Sequence, residues 1–219
     1  MRFHPAYPAT MYRLIDTDTW NRKDTFAFFR SFDDPFFNLC TSLEAGPLYR
    51  RCQQEGWSFF LACLYHATAA ANEIEALRLR LSDDDVRCYD QVHAGSAIAH
   101  ADHTFSFCYF RMLPDMATFQ AAGRAAIEAQ RASRAFDPRN DTLDIIHYSV
   151  LPWIAFTSMK HARRFGTQDS IPKIIFGRLH PVGTGYQLPV SVELHHALAD
   201  GYHAGLYFEA LQQRLADGR

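Results

Sequence analysis

No uninterrupted apolar stretch in this 219-residue chain approaches the ~20 residues that a membrane-spanning helix needs, so no membrane span is expected. The opening MRFHPAYPATMYR lacks the apolar core of a secretion signal, and a cytoplasmic location is the expectation. Cysteine is sparse: Cys40, Cys52, Cys63, Cys88 and Cys108 form an odd set of 5 with no CxxC pair. Most have apolar neighbours, which fits reduced, buried thiols better than disulfides or a zinc site. Neither charge sign dominates, with 22 basic and 24 acidic residues and a net charge of −2. Basic residues gather no more densely than doublets such as Arg50-Arg51 and Arg163-Arg164, so nucleic acid is not an expected partner. Repeats, low-complexity tracts and Pro/Gly/Ser-rich linkers are also missing, which leaves a single domain over residues 1–219 as the expectation.

What the chain does have is apolar bulk. Hydrophobic residues make up 48%, charged residues 21%, and 18 positions are Phe. A chain of this mass can bury about 70% of its unfolded surface without a metal or disulfide framework. Helical spacing of Phe26, Phe29 and Phe32 behind an Asp/Thr cap predicts a helix within residues 18–32. Residues 57–71 are apolar nearly all round, the pattern of a helix buried on several sides, and residues 115–134 form a more amphipathic one. Residues 86–89 and 97–110 carry the β-branched and aromatic residues of strands. Residues 143–150 predict a strand ended by Pro152, which has no N–H for a central ladder. Residues 171–179 and 186–194 flank PVGTG, whose glycines suit a hairpin loop, and a helix carrying Ala204, Tyr207, Phe208, Leu211 and Leu215 follows. Helices interleaved with hairpin-joined strands predict a mixed-sheet α/β or α+β domain.

The sharpest chemical signal runs from Glu193 to Gly201, ELHHALADG. It puts His195 and His196 at the end of a predicted strand and Asp200 four residues past the second histidine. Neutral imidazole titrates near pH 6.5, which suits His196 to take a proton from a hydroxyl. His195 reads as a structural histidine. Spacing leaves Asp200 two roles, orienting the imidazole or pairing with an arginine to hold the loop. The candidate metal ligands are His100, Asp102 and His103, or the adjacent His195 and His196. Neither set has the i, i+4 helical spacing of a zinc protease, and neighbouring strand residues point to opposite faces, so no metal is expected.

The segment His195 to Gly205, HHALADGYHAG, closely resembles the HHxxxDG-F/Y-H-x-G motif of the chloramphenicol acetyltransferase family. WNRKDTF, beginning at Trp20, resembles that family's W-x-R-K-E-x-F segment, and SVLPWIAFTS, beginning at Ser149, resembles its S-x-x-P-W-x-x-F-T-S segment. The resemblance spans roughly residues 14–216. It implies a two-layer α/β sandwich of the CoA-dependent acyltransferase type, with a mixed sheet packed against helices. It also implies a homotrimer with active sites between subunits, transferring acetyl from acetyl-CoA to a hydroxyl, the chemistry of antibiotic resistance in that family. By the resemblance His196 is the general base, Ser149 donates to the oxyanion, and Asp200 pairs with Arg22 to hold the loop. No covalent acyl-enzyme is implied.

Departures from the family pattern matter as much. Ile175 stands where the family usually has a Thr near the oxyanion. Phe29 keeps an aromatic at the acceptor pocket, but His147, Met159, His161 and Lys173 align with its apolar or uncharged positions. Burying such polar groups without a partner costs ~1–3 kcal/mol, which predicts a more polar acceptor than chloramphenicol. With no Rossmann or phosphate-loop glycines, CoA phosphates would be met by scattered bases, Arg178 first and the Arg163-Arg164 doublet after it. The alternative from another class is a catalytically idle trimer that binds a small ligand.

Overall fold

The computed structural model describes residues 10–139, 142–163 and 168–217. Arg164 and the opening nine residues read above for a secretion signal lie outside that set. The first half contains β1 (Tyr12–Ile15), α1 (Lys23–Phe29), β2 (Phe36–Glu44), α2 (Gly46–Glu55), α3 (Phe59–Glu73), α4 (Glu75–Arg78), β3 (Leu79–Ser82) and β4 (Asp85–Tyr89). The second half contains β5 (His93–Ala99), β6 (Phe105–Phe110), α5 (Met116–Ser133), β7 (Ile145–Val150), β8 (Lys173–Phe176), β9 (His180–Val182), β10 (Gly185–His195) and α6 (Gly201–Asp217).

Seven strands form a mixed sheet in the order β2-β10-β8-β7-β5-β6, with β9 paired to β10. The β5–β7 and β7–β8 pairs are parallel, and the others along the path are antiparallel. A small sheet, β1-β4-β3, stands apart. Local chemistry explains the helix starts: Ser58 accepts from Leu61 N ahead of α3, and Asp115 accepts from Thr118 N ahead of α5.

The pleat separates two chemistries. Ile146, Tyr148, Ile174, Phe176, Val190, Val192 and Leu194 face the helices and join one core with Leu61, Leu64, Tyr207 and Leu211. Each fully buried leucine there contributes about 2 kcal/mol of transfer free energy. Strand register puts His147, Ser149, Lys173, Ile175, Ser191, Glu193 and His195 on the opposite face. The segment of residues 151–163 crosses that second face without helix or strand. It is tied down where Leu151 N donates to Phe176 O, Arg178 N to Ile154 O, and His161 N to Glu193 Oε2.

The α/β fold with helices layered on a mixed sheet is the expected one, while several boundaries differ. The expected helix over 18–32 is shorter, Lys23–Phe29. The expected strand over 97–110 is two strands, because residues 100–104 reverse the chain and His103 takes a positive φ of 64°. Edge strand β2 and helix α2 were not foreseen.

Candidate active site

Strand β10 ends at His195, and the ladder with β2 continues one step further, where His196 N donates to Pro35 O at 2.7 Å. The His196 ring lies flat against Phe29 of α1, with centroids 3.8 Å apart and planes within 5°. Phe37 of β2 closes a second side at 4.8 Å. His196 Nδ1 is buried and has no hydrogen-bond partner, so Nε2 is the nitrogen open to chemistry. His195 turns the other way, packing edge-on against Phe36 at 5.1 Å while its Nδ1 accepts from Ala197 N. Burial lowers the His195 pKa to about 4.

Asp200 is fastened on both oxygens. Oδ2 accepts from Arg22 Nη1 at 2.6 Å, and Oδ1 meets Tyr202 N at 3.0 Å and His203 Nδ1 at 2.9 Å. Burial opposes its charge, but hydrogen bonds from Arg22 and His203 outweigh it and hold the carboxyl at about 2. Arg22 stands immediately ahead of α1, and its carbonyl accepts from Phe26 N. The bond thus joins the start of α1 to the turn that follows His196. Ala197 and Leu198 of that turn pack with Phe26, Leu79, Val86 and Cys88 in a second apolar cluster.

Ser149 is half-buried on β7, in register with the fully buried Ile175. Across the sheet, Ile175 pairs with Ser191, and His196 is five residues further along. Two strand spacings of ~4.8 Å and five steps of ~3.3 Å put Ser149 on the order of 19 Å from His196 of the same chain. One chain does not bring these two residues together.

Three of the expected acceptor residues gather around an ionic cluster that sequence reading missed. His147 and Lys173 are partners in register on β7 and β8, and Lys173 pairs with Glu193 of β10. Glu193, 2% exposed, binds Arg163 and accepts from His161 N. Arg163 also approaches Asp34 at 3.4 Å and Asp169 at 3.6 Å, and lies over the Phe36 ring at 3.1 Å. Lys173 donates to Asp169 at 2.5 Å, and Lys160 meets Asp34 at 3.1 Å. Burial pushes the pKa of His147 down to about 4, helped by the Lys173 charge, and lowers that of Lys173 as well. Cavities of about 550 and 570 Å³ flank the cluster, the first reaching His147 and the second His195.

Met159 is half-buried in the crossing segment, and Arg178 is exposed beyond β8. Arg163, expected as a base for phosphate, is instead committed to three carboxylates. One signal was available for Glu193: alternation along β10 sets Ser191, Glu193 and His195 against Val190, Val192 and Leu194. Its partner, 30 positions away in an irregular segment, left no local trace. Among the described residues, no group of three or more His, Cys, Asp or Glu is placed to hold a metal, and no helix is long and apolar enough to cross a membrane.

The family described as chloramphenicol acetyltransferase matches residues 10–212. The chain is 31% identical over 201 residues to chloramphenicol acetyltransferase 2 of Escherichia coli, covering 90% of this chain and 94% of the relative. It is 27% identical to the chloramphenicol acetyltransferase of Staphylococcus aureus, covering 92% and 94%. A solved structure described as chloramphenicol acetyltransferase superposes with a TM-score of 0.87 at 29% identity, over 94% of this chain and 100% of the other. Fold and relatives together define an acyltransferase. More narrowly, the chain belongs to the chloramphenicol acetyltransferase family.

Proposed function

We propose that the protein transfers acetyl from acetyl-CoA directly to a hydroxyl of a small acceptor, with His196 as general base. The observation that carries this reading is the fixed imidazole: Phe29 holds one ring face and the Arg22–Asp200 bond holds the following turn. In the Nδ1–H tautomer, His196 Nε2 takes the acceptor's hydroxyl proton as the oxygen attacks the thioester carbonyl carbon. A tetrahedral oxyanion forms and accepts a hydrogen bond from the Ser149 hydroxyl. When it collapses, the C–S bond breaks and the thiolate leaves with the proton from the imidazolium, as CoA thiol. A positioned base contributes about 10²–10⁴ in rate, and an oxyanion donor about 3–4 kcal/mol. Asp200 and Arg22 act by holding the loop.

The separation of Ser149 from His196 in one chain supports a site shared between copies, in a homotrimer of single-domain chains. Ser149 would then come from one protomer and His196 from its partner. Phe29, Met159, His147, His161 and Lys173 line the acceptor side in this reading, and Arg178, which is exposed, would meet a CoA phosphate. The buried Ile175 offers no hydroxyl to the oxyanion. Charged groups at Lys173 and Glu193 favour a more polar acceptor than chloramphenicol. Acetyl-CoA turnover followed with a thiol reporter tests the reading. Acceptor-stimulated CoA release is expected, falling at least about 100-fold in His196→Ala. Release unchanged by that substitution overturns the role of His196, and no acceptor-stimulated release favours an idle, ligand-binding protein.

A further inference from the structure

Arg22 holds the chain on the Asp200 side of His196, and a second ionic clamp stands on the other side. Glu193 is buried on β10 three residues ahead of His196. Asp34 is next to Pro35, whose carbonyl accepts from His196 N at 2.7 Å. Arg163 joins these two carboxylates. Its side chain, 8% exposed, bonds Glu193 through Nη2 and meets Asp34 through Nε at 3.4 Å. The guanidinium also lies 3.1 Å over the ring of Phe36, the residue between Pro35 and Phe37. Phe36 packs on His195, and Phe37 on the His196 ring. Lys160 reaches Asp34 as well, but it is 75% exposed, where an ion pair contributes little.

The same two clamps bracket α1. Arg22 ties its start to Asp200, and Arg163 ties down Asp34, five residues past Phe29. Phe29 is the plate against which the imidazole lies flat, 3.8 Å away. A ring stacked in this way keeps its aim only while the segment carrying its neighbour stays in place, and a misplacement of about 1 Å costs about 100-fold in rate. Resting on the acetyl-transfer reading above, we propose that Arg163 is a positioning residue for His196, the counterpart of Arg22 on the opposite side. Through Glu193 it fixes the strand that delivers the imidazole. Through Asp34 and Phe36 it fixes the carbonyl that receives His196 N and the far end of the segment that presents Phe29.

The test uses the full chain isotopically labelled at histidine Cε1. Stacking on Phe29 moves the His196 Hε1 resonance upfield through the ring current, and this signal, assigned by its absence from His196→Gln, reports ring orientation without turnover. CoA release from acetyl-CoA is followed alongside, with whichever of chloramphenicol, glycerol and methyl glucoside is turned over fastest. Arg163→Met strands the Glu193 charge in the interior and destabilises the chain, whereas Arg163→Met with Glu193→Gln removes both charges and should restore Tm. In both variants His196 is expected to lose most of its upfield shift, and kcat to fall about 10–100-fold with KM for acetyl-CoA within about twofold. A double variant that regains Tm together with wild-type kcat and resonance overturns the inference, because Arg163 then only balances a buried charge. So does a fall in kcat with the resonance unmoved. No acceptor-stimulated release from the wild-type chain counts against the transferase reading alone, and the resonance still decides the role of Arg163.

Discussion

His66 sits on α3 with 2% of its surface exposed, and neither ring nitrogen has a hydrogen-bond partner. Burial lowers its pKa from 6.5 to about 4, a value it shares with His147 and His195. These three rings fold as neutral bases, so the unfolded chain binds more protons between pH 4 and 6.5. Stability is therefore whole above the unfolded pKa and falls as pH drops from 6.5 toward 4, where it levels off. The limit for His66 is about 3 kcal/mol. In His66→Leu, urea unfolding at pH 5 and 7.5 should show a pH dependence shallower by about 1 kcal/mol per pH unit. An unchanged slope would mean that His66 is solvated or paired in the fold. At this scale the sequence singles out His196 and Asp200 because they lie in one contiguous motif, and the structure pairs Asp200 with Arg22. The sequence did not mark Glu193, whose meaning depends on Arg163.

Gly123 lies on α5 where that helix crosses α3, and a Cβ added there would come within 2.7 Å of Leu61 Cδ2. Alanine improves helix propensity by about 1 kcal/mol, whereas overpacking against a fully buried leucine costs about 1–3 kcal/mol. Destabilisation should win. Gly123→Ala is expected to lower Tm by several degrees, and a raised Tm would show that Leu61 repacks freely. The same comparison of local and tertiary terms explains which elements were legible. Helix α3 declares itself by a capping Ser58 and a continuous apolar surface. Strand β2 does not: five of its nine residues are half-buried and three exposed, as befits an edge, so alternation never becomes regular. It acquires its strand form from pairing with β10 over nine registered positions.

At the scale of the molecule, the two sheets are joined by one buried cation. Arg80 of β3 is fully buried and donates to the carbonyls of Leu77, Leu79, Leu143 and Ile145, binding the small sheet to the start of β7. The small sheet packs under Ala197 and Leu198, so both halves of the proposed chemistry share this support. If each site draws His196 from one copy and Ser149 from another, two inactive variants should repair each other. Co-refolding His196→Ala with Ser149→Ala in equal amounts should recover on the order of a quarter of wild-type sites by random assembly. Activity no higher than the mean of the two variants alone would place both residues in a single chain's site.

The sequence by itself determined the family, the strand-to-loop-to-helix setting of His196 and the identity of its neighbours. Those rest on contiguous motifs, caps and short periodicities, which act over a few residues. Only the tertiary structure decided that Arg163 lies over Phe36 against Glu193, that Lys173 and His147 share its row, and that Ser149 and His196 of one chain stand far apart. Pairing between strands distant along the chain fixes those relations, and no local pattern encodes it.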